Sequence, residues 1–174
     1  MSSPTLAQKI FQAAHLTGTF RLRSGATSSE YFDKYRFEGD PVLLREIATE
    51  LARRLPANYD VLAGLEMGGI PIADMLSQIT GKPALFIRKK AKDYGTCRFA
   101  EGGKVKGRRL LLVEDVVTSG GQIIESARAL RGEGAIISDV ACVIDREAGG
   151  VAALAKEGLT LTGLFTMSDL KKEI

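Results

Sequence analysis

The run Leu110-Leu111-Leu112-Val113-Glu114-Asp115-Val116-Val117-Thr118-Ser119-Gly120-Gly121 places two adjacent carboxylates just ahead of a turn made of hydroxyls and glycines. Its apolar start reads as a buried strand ending at the acid pair, and a helix is expected to begin near Gln122. In an open α/β sheet, ligands collect outside the carboxyl ends of the strands. A helix N-terminus there offers unpaired N–H groups and positive dipole potential. Glycines let the backbone close around a phosphate, and the Thr118 and Ser119 hydroxyls add donors. Two carboxylates repel a phosphate but accept hydrogen bonds from vicinal sugar hydroxyls. The pattern therefore describes a ribose 5-phosphate site. The plain alternative is an acid-capped strand followed by a helix cap.

Other residues could do chemistry with less support from their surroundings. Arg88, Lys89, Lys90 and Lys92 form a basic run at the start of the long segment Arg88 to Arg109. Such a run is usually a solvated face or a nucleic-acid contact, but a loop of this length inside a domain is usually functional or mobile. Arg146 stands at the end of the strand that carries the apolar run Val140 to Ile144, a costly place for a cation unless an anion meets it. His15 is the only histidine. That excludes a multi-histidine zinc site, and a helix-surface position is expected for it. Tyr31 and Phe32 are either local core or stacking partners for a substrate. Gly81-Lys82 is followed by Pro83, so there is no Walker A motif, and no G-x-G-x-x-G follows a strand.

The elements that must position these residues show a βαβ rhythm. Val61 to Leu65, Ala84 to Arg88, Arg109 to Val113, Asp139 to Ile144 and Leu159 to Phe165 are near-continuous apolar runs, as parallel strands covered on both faces require. Between them lie amphipathic segments, Pro71 to Ile79, Gly121 to Arg131 and Gly150 to Glu157, with glycine stops. The fold class is α/β with a doubly wound parallel sheet. The first sixty residues depart from the rhythm. Helical stretches Thr5 to Ala14 and Pro41 to Leu55 flank a polar, aromatic segment, Phe20 to Asp40.

Composition bounds the reading. A chain of 174 residues, 45% hydrophobic and 26% charged, suits one globular domain. A formal net charge of +3 is too small to imply bulk binding to nucleic acid or membrane. Cys97 and Cys142 are too few for a disulfide framework, and Cys142 reads as a buried free thiol. No apolar stretch reaches membrane-spanning length, and Met1-Ser2-Ser3-Pro4 does not resemble the start of a signal peptide, so a cytoplasmic protein is expected.

Val113 to Gly121 closely resembles the phosphoribosyl pyrophosphate (PRPP) signature of type I phosphoribosyltransferases. Phe20 to Gly25 with Ser28 and Tyr31 to Lys34 resembles the N-terminal hood of the orotate phosphoribosyltransferase family. Arg88 to Thr96 resembles its mobile catalytic loop, and Val143 to Glu147 its orotate-contacting strand end. The resemblance implies one domain over 1–174, with a hood formed mainly by 1–40 and a mobile loop at about 88–108. It implies PRPP contacts from Glu114, Asp115, Val116, Val117, Thr118, Ser119, Gly120, Gly121 and Gln122. Arg88, Lys89 and Lys92 would hold the pyrophosphate and act in catalysis. Thr118, Arg146 and Arg23 would contact orotate.

Arg23 stands where many members have Lys, Tyr94 where several have His, and Gly68 where some carry a pyrophosphate-binding Lys. There, backbone N–H groups of Met67 to Gly69 are expected to serve instead, with a cis peptide at Glu66–Met67. Mg²⁺ is expected to ride mainly on PRPP, without a set of protein ligands. The implied assembly is a homodimer whose loops reach the neighbouring active site. The expected partners are PRPP and orotate, not nucleic acid or a membrane. Two other readings stay open, a phosphoribosyltransferase for another base and a regulatory nucleic-acid-binding protein on the same fold. A neutral base has no carboxylate for Arg146, and no appended nucleic-acid module is visible.

Overall fold

The computed structural model describes residues 3–21, 25–90 and 99–172. In chain order the elements are α1 (Leu6–Ala14), β1 (His15–Arg21), β2 (Thr27–Phe32), α2 (Tyr35–Glu38), α3 (Pro41–Ala52), β3 (Val61–Leu65), α4 (Gly69–Thr80), β4 (Ala84–Ile87) and β5 (Ala100–Glu101). They continue with β6 (Arg109–Val117), α5 (Gly121–Gly132), β7 (Ile136–Asp145), α6 (Gly150–Lys156), β8 (Thr160–Thr166) and α7 (Met167–Lys172). Local signals set the early helices. Thr5 and Gln8 form a reciprocal capping box at α1. Asp40 caps α3 through the N–H groups of Val42 and Leu43, with Pro41 in the first turn.

The main sheet has the order β5-β4-β3-β6-β7-β8. The pairs β3–β4, β3–β6, β6–β7 and β7–β8 are parallel, while β5 pairs antiparallel with β4. The parallel sheet expected from sequence thus carries one antiparallel edge strand, contributed by the segment after Arg88. Adjacent strand residues feed opposite cores. Leu62, Leu111, Val113, Ala141 and Val143 pack with Ile10, Ile47, Leu51 and Leu76. Leu110, Leu112, Val140 and Cys142 pack on the other face with Ile123, Ala127, Leu130 and Leu154. Helices therefore cover both faces, as the continuous apolar runs predict. Cys142 is fully buried, and burial pushes its thiol pKa up.

Several boundaries differ from the sequence reading. The expected polar segment after α1 is a two-stranded antiparallel ribbon, β1 with β2, followed by the short α2. His15 is not on a helix surface: it opens β1 and stacks on Phe11 at 4.6 Å between centroids. The ribbon buries little on either side, so it lacks the apolar alternation that announces a strand. β6 runs on to Val117, and so carries the acid pair within the strand and not beyond its end.

Candidate active site

The chain leaves β3, makes β4 on one side of it, and returns as β6 on the other side. That reversal is the topological switch point of an open α/β sheet, where a crevice forms between diverging connections. The β3–β6 pairing stops at Gly64 opposite Val113, while β6 continues alongside β7 to Val117 opposite Asp145. A cavity of about 270 Å³ lies there. Its wall combines Glu66 and Met67 after β3, Lys89 after β4, Glu114 and Val116 to Val117 of β6, the turn Thr118 to Gly120, and the start of α5 at Gly121 to Ile123.

The turn is built for an anion. Thr118 and Ser119 are exposed, and Gly120 takes a left-handed φ of 76° that suits glycine at the mouth of α5. No side chain caps α5, so its first N–H groups face the cavity. The Glu66–Met67 peptide is cis, as the resemblance implied. Glu66 accepts the Lys89 backbone N–H at 2.8 Å, which fixes where Lys89 leaves β4.

The two acids part company. Neighbours on a strand point to opposite faces, so Glu114 lies on the cavity wall while Asp115 is fully buried beneath it. Asp115 Oδ2 forms an ion pair with Lys34, and Oδ1 accepts the Val116 N–H. Glu38 of α2 is buried beside it. Gly68 supplies the room: a Cβ there would sit 1.7 Å from Asp115 Oδ2 and 2.9 Å from Glu38 Oε1. Burial first, and then the hydrogen bonding and charge of Asp115, push Glu38 and Glu114 each up to about 9. Burial alone would raise Asp115 too, but hydrogen bonds from Glu114, Glu38 and Lys34 hold it below the usual carboxylate range. Desolvation would lower Lys34, yet its bond and charge contact with Asp115 leave it raised. The shifts favour one central carboxylate, with Glu38 and Glu114 drawn toward their neutral forms and Lys34 toward its charged one.

Arg146 does not line this cavity. Its backbone N–H bonds to Val117 O at 2.8 Å, tying it to the end of β6. Its side chain lines a second cavity of about 630 Å³, shared with Phe11, His15, Tyr31, Phe32 and Lys171. Arg146 is exposed, so the argument from the cost of a buried cation does not hold: water solvates it. Tyr31 stacks on Phe20 at 5.5 Å and Phe32 packs partly against the main core, and both also line this second cavity.

Arg88 is half-buried, takes its backbone bond to Phe99 O, and lies off the first cavity's wall. Arg23, Lys92, Tyr94 and Cys97 lie outside the described residues. Sequence reasoning passed over Lys34 and Glu38 as site residues. Lys34 lay inside the hood resemblance, Tyr31 to Lys34, but no role was attached to it, and Glu38 carried no signal.

Comparison with known proteins points to one family. Residues 42–165 match the phosphoribosyl transferase domain. The chain is 52% identical over 166 residues to an orotate phosphoribosyltransferase of Nocardioides sp., covering 95% of this chain and 93% of that protein. The orotate phosphoribosyltransferase of Aeropyrum pernix superposes with a TM-score of 0.85 at 31% identity, covering 97% of both chains. That of Mycobacterium tuberculosis in complex with PRPP superposes with a TM-score of 0.81 at 27% identity, covering 95% of this chain and 96% of the other. A domain match over most of the length, a relative identical at half its positions and a shared fold together mean that the chain belongs to the orotate phosphoribosyltransferase family.

Proposed function

We infer that the protein transfers ribose 5-phosphate from PRPP to N1 of orotate, giving orotidine 5′-phosphate and pyrophosphate in UMP biosynthesis. One observation carries the reading: Glu114 stands on the same cavity wall as the Thr118–Gly121 turn and the open N-terminus of α5. The turn takes the 5-phosphate, and the acidic wall accepts the ribose hydroxyls. In the reaction the C1–O bond breaks as positive charge grows on the sugar ring and negative charge gathers on the leaving pyrophosphate. Fixed charges stabilise both ends. Lys89 stands on the described wall to meet the pyrophosphate, and the resemblance adds Arg88 and Lys92. As the N1–C1 bond forms, orotate N1 gives up its proton, which the departing pyrophosphate can take as it gathers negative charge. Arg146, with Thr118 and Arg23, orients orotate, and a guanidinium can pair bidentately with its carboxylate.

Glu114 on the cavity wall is drawn toward its neutral form and would ligate a metal only on losing its proton, which fits a Mg²⁺ that keeps its waters and takes most ligands from substrate oxygens. When bound, the ion would offset charge on the departing pyrophosphate. Among the described residues no helix is long and apolar enough to cross a membrane. On the resemblance we place the enzyme in the cytoplasm as a homodimer, with a single domain per chain.

The test follows the loss of orotate absorbance with PRPP and Mg²⁺. The expected result is PRPP-dependent consumption of orotate and not of uracil or adenine. Arg146→Ala should raise the orotate KM by about tenfold or more with a smaller change for PRPP. Turnover of a neutral base alone would replace the orotate reading.

A further inference from the structure

Lys34 stands outside every phosphate or base motif in the sequence, yet it lines the first cavity. Lys34 and Lys89 are the cationic side chains on that cavity's described wall. The turn after β3 can add none, because any side chain at Gly68 would displace Asp115. The turn before α5 is suited to a single phosphate and carries no cation of its own. A substrate with a phosphate at one end of a ribose and a pyrophosphate at the other still needs positive charge at the second end. Lys34 is placed for that. Its side chain is about one-third exposed, it is held beside the acidic wall by Asp115, and its Nζ lies 5.3 Å from the Tyr35 ring centroid. An ammonium has three N–H donors, and the ion pair with Asp115 leaves donors free for a phosphate oxygen.

We propose that Lys34 is a further PRPP-binding residue, which contacts the pyrophosphate group while it stays paired with the buried Asp115. The inference rests on the PRPP reading given above. One residue then couples both ends of the site: the carboxylate beneath the ribose wall and the leaving group. Methionine at this position would keep much of the stem's packing but lose both contacts.

Calorimetric titration of the full chain with three probes separates this role from a purely structural one. The probes are PRPP, inorganic pyrophosphate and ribose 5-phosphate, which lacks the pyrophosphate. Wild type should bind PRPP. Lys34→Met should bind PRPP and pyrophosphate about tenfold to a hundredfold more weakly, with ribose 5-phosphate changed by less than about twofold. Lys34→Arg, which keeps the charge, should recover most of the PRPP affinity. An equal loss for PRPP and ribose 5-phosphate would mean that Lys34 acts only through Asp115 and the fold. No loss for either would remove it from the site. Absence of PRPP binding by wild type would overturn the PRPP reading itself, and this inference with it. Should Lys34→Met not fold because Asp115 is left unpaired, Lys34→Met/Asp115→Asn is compared with Asp115→Asn alone. A further loss for PRPP but not ribose 5-phosphate supports the proposal, and equality of the two variants overturns it.

Discussion

Folding draws the Glu38 carboxyl toward its neutral form. It is buried beside Asp115, and both effects push it to about 9. The unfolded chain releases that proton near the ordinary value of 4.5. Between those values the folded protein binds more protons than the unfolded one, so the stability tied to Glu38 is full at low pH and drains away as pH rises. Glu38→Gln keeps the shape and removes the titration. Urea midpoints measured from about pH 5 to about pH 9 should therefore fall for wild type relative to Glu38→Gln, since only Glu38 differs between them. A constant difference across that range would mean that Glu38 is already ionised in the fold. The same residue shows why part of the site was hidden in the sequence. Glu114 and Asp115 announce themselves by adjacency to a glycine turn, but Lys34 and Glu38 join them only after the ribbon and α2 fold over the sheet.

At the scale of elements, the end of β7 is pinned from two sides. Asp145 Oδ1 accepts the Glu147 N–H at 2.9 Å, and Glu147 Oε2 accepts the N–H and hydroxyl of Ser168 at the start of α7. Glu147 takes φ 58°, the one left-handed non-glycine among the described residues. Arg146 sits between these anchors, and its own backbone N–H is held by Val117 O. Glu147→Ala should lower stability by about 1 kcal/mol and raise the orotate KM several-fold with little change for PRPP. Equal changes for both substrates would assign Glu147 to the fold alone. Much of this scaffold was legible: five apolar runs gave five parallel strands, and glycine stops bounded the helices between them. What escaped had a physical reason. β1 and β2 are half-exposed on both sides, β5 is two residues long, and α7 is a short helix whose start is set by Thr166 and Asp169 capping each other. The strand parity of the acid pair was also missed, because the chain was taken to leave the sheet at Val113.

For the whole molecule, the proposed dimer makes a stoichiometric prediction. If Lys92 serves the neighbouring site, Lys92→Ala and Glu114→Ala chains, each nearly inactive alone, should complement. A mixed dimer has one site with both groups intact and one lacking both. Random pairing at equal amounts leaves about half the dimers mixed, so roughly a quarter of wild-type activity should return. No recovery in confirmed mixed dimers would keep Lys92 in its own subunit. The two cores on opposite sides of one sheet have a further consequence through Cys142, which lies in the middle of β7 with no exposed surface. A thiol there can meet a reagent only when the α5–α6 layer lifts from the strands. In a Cys97→Ser background, the slow rate of Cys142 modification becomes a clock for that opening event. A ligand bound between β6 and α5 holds the layer down, so PRPP should slow the clock in proportion to its occupancy, while urea below the unfolding midpoint should speed it.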